Sequence, residues 1–234
     1  MAKYLIHAIP SRMWYVEKFL VPSMVAQGID KDNILVFNDK DKLGNLKAFC
    51  ESIKDLKGDY WHLQDDVIIS SNFKEQTEKY DLKIICGFCS KYSEGVPGGV
   101  VKPQNMWYSF PCIRIPRTIL AEFLNWLDTD ALKTCANWIN ANKYDDSLFK
   151  EFMETRHPRT EIFNLKPNIV NHIDYLIGGS VANERNRADY KKAMSIYWTE
   201  PELLDKLQED ILGNTGEWVK TTNYTAVRRP KNYV

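Results

Sequence analysis

Three short stretches of this chain carry side chains with the right types and spacing for chemistry. Gln64-Asp65-Asp66 follows Tyr60-Trp61-His62-Leu63 and precedes Val67-Ile68-Ile69. Two adjacent carboxylates at the end of a hydrophobic strand repel each other, and burying them is costly unless something cationic compensates. Strand side chains alternate between faces, so Gln64 and Asp66 share one face and Asp65 takes the other. That is the pattern of an x-Asp-Asp metal site on a nucleotide-binding sheet; two solvated acids in a turn explain the same residues equally well. Pro167-Asn168-Ile169-Val170-Asn171-His172-Ile173-Asp174 leads into Gly178-Gly179-Ser180. A histidine between a short strand and a glycine-rich turn can set an imidazole beside a diphosphate, although a lone histidine is more often structural. Asp145-Asp146-Ser147 stands ahead of Leu148 and Phe149. It reads either as a helix N-cap, a role that contributes about 1 kcal/mol, or as a general base at a helix start.

The elements that must position these groups follow from periodicity. Residues 3–9 are an apolar strand ending at Pro10. Val16, Phe19, Leu20, Met24 and Val25 predict a helix over 13–27, with a kink or a late start at Pro22 and a stop at Gly28. A strand at 34–37 ends in Asn38-Asp39, a helix carries Leu43 to Ile53, and residues 60–69 contain a third strand. Three strand–helix alternations in the first 70 residues argue for a parallel sheet with helical crossovers. Further on, the sequence predicts strands at 82–89, 107–115 and 162–170, and a loop at 91–105 from its Gly and Pro content. It predicts helices at 117–127, 130–140, after Asp145 and at 200–212, with Pro201 in the first turn. The last 20 residues read as irregular.

The chain has 234 residues, 44% hydrophobic and 26% charged, with 31 basic and 31 acidic side chains. This is enough chain for a sizeable core. Zero net charge removes the usual electrostatic reason to expect strong non-specific DNA binding. No run of about 18 apolar residues is present, and Met1 to Pro10 reads as a strand rather than a signal peptide. Five cysteines are an odd, thinly spread count, which suggests free thiols and a reducing compartment. The expectation is an intracellular, cytoplasmic protein.

Taken in this order, the three stretches resemble glycosyltransferases of the GT-A fold, which use nucleotide-diphosphate sugars. The matching segments are Leu63 to Val67, Trp107 to Leu127, Tyr144 to Phe149 and Pro167 to Ser180, and the resemblance covers roughly residues 3–190. It implies an α/β, GT-A-like (Rossmann-like), mixed but mainly parallel sheet flanked by helices, with a C-terminal helical segment. Residues 1–234 are then one catalytic domain: a nucleotide-binding βαβαβ part at 1–70, an acceptor-side part at 71–180 and a helical extension at 181–234. It further implies transfer of a sugar from a nucleotide-diphosphate donor, a UDP-sugar by preference, to an acceptor hydroxyl with inversion. Asp66 and His172 would hold Mn2+ or Mg2+. Ala8, Ile9, Pro10, Arg12, Asn38, Asp39, Gln64, Asp65, Arg185 and Arg187 would bind the donor, Trp107 and Tyr108 the acceptor, and Asp146 or Asp145 would be the base. One departure stands out: Gln64 occupies a position where that superfamily usually has an acid, so the site carries one negative charge fewer.

The acceptor is not written in the sequence. A glycan, a small molecule, a protein or a hydroxymethylated base of phage DNA all fit, the last placing the protein in a phage-infected bacterial cell. Two rival readings remain: a non-catalytic protein of this fold that binds a nucleotide or glycan, which Gln64 favours, and a nucleotidyltransferase. The turn Ile9-Pro10-Ser11-Arg12 lacks the Gly-rich basic signature the latter normally shows. Cys86-Gly87-Phe88-Cys89 has redox spacing but lacks the following helix, so buried thiols are the simpler reading.

Overall fold

The computed structural model describes residues 1–43, 45–80, 84–89, 98–103, 110–131, 145–177, 200–215, 218–221 and 224–227. Its centre is a seven-stranded sheet. In chain order the strands of the molecule are β1 (Tyr4–Ala8), β2 (Ile34–Asn38), β3 (Tyr60–Gln64), β4 (Val67–Ile69), β5 (Ile84–Cys86), β6 (Gly99–Val101), β7 (Cys112–Ile115), β8 (Ile162–Asn164) and β9 (Val170–His172). The central sheet has the order β2-β1-β3-β7-β5-β8-β6, and β4 pairs only with β9 in a separate two-stranded sheet. β1 is parallel to both β2 and β3, and β5 is parallel to β8. β7 runs against β3 and β5, and β6 runs against β8. Five strands therefore share one direction and two oppose it, the mixed, mainly parallel sheet the sequence implied.

Alternation along the strands builds a core on each face. Tyr4, Ile6 and Ala8 of β1, with Trp61 and Leu63 of β3, pack against the helical stretch after β1 and against β4 and β9. Leu5 and Tyr60, on the other face, meet α2 (Asn45–Ile53), α4 (Arg117–Trp126) and α5 (Asp145–Arg156) through Phe49, Phe123, Phe149 and Phe152. Each of these large side chains, fully buried, contributes about 1.5–3 kcal/mol. His7 also faces this side, its Nε2 lying 3.1 Å from Nδ1 of His62. Burial pushes both imidazoles down, His7 to about 3, so the pair is neutral.

The helical stretch after β1 opens with a tight turn, Pro10–Arg12, and widens into a π-helical segment, Val16–Leu20, before α1 (Val21–Ala26). The widening lies just ahead of Pro22, which has no N–H to give the preceding turn; the expected kink takes this form. Gly28, at φ +79°, closes the helix as a left-handed C-terminal residue. The remaining helices are α3 (Phe73–Glu78), α6 (Asp174–Ile177) and α7 (Pro201–Thr215).

Several sequence expectations change. The strand at 60–69 is two strands in different sheets, separated by a turn at Asp65-Asp66. The strand at 162–170 likewise divides into β8 and β9 around Pro167. The segment read as a loop at 91–105 contains β6, an edge strand. The irregular C-terminus holds a hairpin, β10 (Trp218–Thr221) with β11 (Tyr224–Val227). The expected helix at 130–140 lies outside the described residues except at its first positions, where a π-helical turn, Leu127–Ala131, ends the description.

Candidate active site

The site forms because β1 and β3 are parallel neighbours. Their register sets His7 beside Gln64, so the chain leaving β1 meets the chain leaving β3 at one edge of the sheet. Asp65 Oδ2 accepts the Ile9 backbone N–H at 2.8 Å. The tight turn after Pro10, closed by the Arg12 N–H to the Ile9 carbonyl at 3.0 Å, carries the arginine back over the acids. Arg12 Nη1 lies 2.8 Å from Asp65 Oδ1 and 2.5 Å from Asp66 Oδ2. The Tyr15 hydroxyl donates to the Val67 carbonyl at 2.8 Å and fixes the helical stretch to β4.

β9 supplies the imidazole. Val67 pairs with His172, and the Ile173 N–H donates to the Asp66 carbonyl at 2.8 Å. His172 Nε2 then sits 3.0 Å from Asp66 Oδ2. The three side chains in contact with Asp66 or with its partner arginine are 5–13% exposed, so water screens them little. Burial raises the Asp66 carboxyl, but the Arg12 guanidinium and His172 outweigh it and hold the group below the usual carboxylate range. Asp65 goes the other way: its burial dominates, helped by the Asp66 charge, although Arg12 opposes it.

These contacts correct the alternation argument. Asp65 and Asp66 do not sit on opposite faces of a strand, because they form a turn and one arginine nitrogen touches both. The demand for a compensating cation was right, and Arg12 meets it from 53 positions upstream. Ala8, Ile9, Pro10, Arg12, Gln64, Asp65, Asp66 and His172 lie near one another at one edge of the sheet. Asn38 and Asp39 join them there: the Asp39 N–H donates to the Ala8 carbonyl at 2.8 Å, and Asp39 Oδ1 accepts the Leu43 N–H. Trp107, Tyr108, Arg185, Arg187 and Gly178-Gly179-Ser180 lie outside the described residues.

Asp66 and His172 could hold a divalent cation only if Arg12 Nη1 left Asp66 Oδ2, the oxygen that both it and His172 Nε2 contact. At 3.0 Å, His172 Nε2 and Asp66 Oδ2 are hydrogen-bonded to each other. Asp66 Oδ1 is buried and has no hydrogen-bond partner, an acceptor that a cation could satisfy. Among the described residues no group of three His, Cys, Asp or Glu side chains could hold a metal ion. Two protein ligands suit an ion that takes the rest of its shell from a diphosphate and water.

The second acid pair occupies the start of α5. Both aspartates fall inside the first turn, a position the helix dipole favours for negative charge. Asp146 Oδ1 accepts the Ser147 N–H at 2.7 Å. Asp145 is buried at 9% exposure. Burial, then the charge of Asp146, pushes its carboxyl up to about 7, and burial raises Asp146 as well. The four described cysteines, Cys50, Cys86, Cys89 and Cys112, are free, and all but Cys50 are buried.

Fold and site together define an α/β sheet protein with a buried aspartate–arginine–histidine cluster at the carboxyl edge of parallel strands, where open α/β sheets bind ligands. Among solved structures, the chain is similar to the glycosyltransferase GlyE of Streptococcus pneumoniae TIGR4, with a TM-score of 0.43 and 10% identity over 83% of this chain and 62% of that one. The apo form of GlyE matches with a TM-score of 0.43 and 9% identity over 88% and 64%. The chain thus spans less than two thirds of the length of these structures. No family model matches the sequence, and no curated protein matches it. Among the described residues no helix is long and apolar enough to cross a membrane.

Proposed function

We propose that this protein is a glycosyltransferase that moves a sugar from a nucleotide-diphosphate donor, a UDP-sugar by preference, to an acceptor hydroxyl. The observation that carries the reading is the Asp66 carboxylate. It lies at the carboxyl edge of β1 and β3, one oxygen 3.0 Å from His172 Nε2 and the other buried without a partner. Asp66 and His172 would hold Mn2+ or Mg2+, the imidazole favouring manganese. Such an ion supplies charge neutralisation to a departing nucleoside diphosphate. Asp65 is tied to the Ile9 amide and positions the turn after β1, while Ala8, Pro10, Asn38, Asp39 and Gln64 line the approach of the nucleotide. Arg185 and Arg187 are placed on the donor, and Trp107 and Tyr108 on the acceptor, by the resemblance alone.

Asp145 and Asp146 remain the candidates for the base that takes the acceptor proton, with inversion. Of the two, Asp145 has the better matched carboxyl. A base works best with its pKa near the operating pH, and Asp145 is pushed up to about 7, whereas Asp146 is engaged with Ser147. The acceptor is a glycan, a small molecule, a protein or a hydroxymethylated base of phage DNA, and the setting is the cytoplasm of a bacterial or phage-infected cell.

A second reading has its own observation. Arg12 already offsets one charge of the acid pair and Gln64 adds none, which suits a non-catalytic protein that binds a nucleotide or glycan. Incubation with a panel of nucleotide sugars and Mn2+ separates the two. The transferase reading expects slow hydrolysis of at least one donor, and loss of that hydrolysis in Asp66→Ala. Binding of a nucleotide sugar without turnover under any metal would overturn it in favour of the binding protein.

A further inference from the structure

We propose that Arg12 is a built-in counter-cation that competes with a divalent metal ion for Asp66, so that the metal site opens when the guanidinium is drawn away to a diphosphate. The inference rests on the metal-site reading above and adds a residue that controls access to it. One nitrogen, Arg12 Nη1, holds Asp65 Oδ1 and Asp66 Oδ2 together. The Asp66 oxygen it takes is the same one that faces His172 Nε2. A metal bridging Asp66 and His172 would therefore share that oxygen with a guanidinium at 2.5 Å. Two cations on one oxygen repel strongly where water is excluded, and these side chains are only 5–7% exposed.

The charges are arranged for an exchange. Two carboxylates and one guanidinium leave a net charge of −1; removing the guanidinium leaves −2, a much stronger site for a divalent ion. When Arg12 departs, Asp65 keeps its contact with the Ile9 N–H and Asp66 keeps His172, but the buried acids lack the guanidinium until a metal ion arrives. The backbone at Arg12 is fixed by its N–H to the Ile9 carbonyl, which restricts the movement to the side chain. Arg12 also starts from the right place. It sits in the turn after β1 at the carboxyl edge of the sheet, and a guanidinium pairs with phosphate oxygens in bidentate fashion. Metal and diphosphate then favour each other's binding, with equal coupling in either direction.

The test is a titration of free Mn2+, read by electron paramagnetic resonance, with no nucleotide present. It compares the wild type, Arg12→Gln, Arg12→Lys, Asp66→Asn and the double variant Arg12→Gln with Asp66→Asn. Arg12→Gln should bind Mn2+ at least tenfold more tightly than the wild type, Arg12→Lys should fall between them, and the double variant should lose the gain. Equal or weaker binding in Arg12→Gln, with Mn2+ still lost in Asp66→Asn, overturns the competition and leaves the metal site standing. Mn2+ binding that ignores Asp66→Asn in both backgrounds overturns the metal site and the competition together. If Arg12→Gln does not fold, Arg12→Lys decides: Mn2+ should raise its melting temperature more than it raises that of the wild type, and an equal rise overturns the proposal.

Discussion

The chain contains two adjacent aspartate pairs, and their surroundings differ. Asp65 and Asp66 share the Arg12 guanidinium, Asp66 alone also meets His172, and Asp66 stays ionised in a buried place because Arg12 and His172 outweigh its desolvation. Asp145 is buried and Asp146 half-buried; burial pushes both carboxyls up, helped at Asp145 by the charge of Asp146. Asp66 therefore serves as a fixed negative anchor, whereas Asp145 is poised to hold or release a proton. Environments that push like groups apart in this way assign acid and base roles.

The contrast can be broken at several points. The largest effect is expected from Asp66→Ala, which removes the anchor. Donor turnover and metal-dependent nucleotide binding should vanish while the fold survives, because Arg12 and Asp65 still neutralise each other; normal turnover would move the metal site elsewhere. Next comes Arg12→Met, which leaves two buried acids without their cation. Denaturant unfolding should show a loss of about 3–5 kcal/mol, the scale of an uncompensated buried charge. A loss under 1 kcal/mol would mean that the pair is not held by Arg12.

On the other side of the contrast, Asp145→Asn and Asp146→Asn keep the shape and most of the hydrogen bonding but cannot take a proton. Sugar transfer by the variant that lacks the true base should fall about 100-fold, with donor binding unchanged. Activity within a few-fold of wild type in both variants would sink the base assignment and favour a retaining mechanism. A smaller effect, of opposite sign for Asp145 and Asp66, appears in stability against pH. The folded-state pKa of Asp145 lies above its ordinary value, so its contribution is full below about pH 4 and declines as the pH rises towards about 7. Asp145→Asn should remove that decline and gain about 1 kcal/mol or more at pH 8. Asp66, held low, contributes above its ordinary pKa and loses that contribution only as the pH falls below it.

Much of this was legible in the residues. The strand–helix alternation of the first 70 positions gave a parallel sheet, and two adjacent acids in an apolar setting demanded a cation. The cation itself was hidden. Arg12 and Asp65 are 53 positions apart, and only the parallel pairing of β1 with β3 brings them together. A signal did exist, since Pro10-Ser11-Arg12 directly follows the strand that pairs with the acid-bearing one. The change of sheet at Asp65-Asp66 was not legible, because Val67, Ile68 and Ile69 are all buried and a continuous apolar run does not say which sheet it joins. β6 was missed for the opposite reason: Gly98-Gly99-Val100 lacks the bulk that marks a strand, yet a Cβ on Gly98 would lie 2.8 Å from Lys166 Cβ, so the close approach to the β8 side requires the glycine.

The most direct test of the contrast is a carbon-13 NMR titration of the aspartate carboxyls, with Asp66 and Asp145 assigned from their Asn variants. The account predicts that Asp66 remains ionised down to pH 3.8, its ordinary value, and below, while Asp145 titrates near pH 7. Two carboxyls that titrate together at the ordinary value would contradict it.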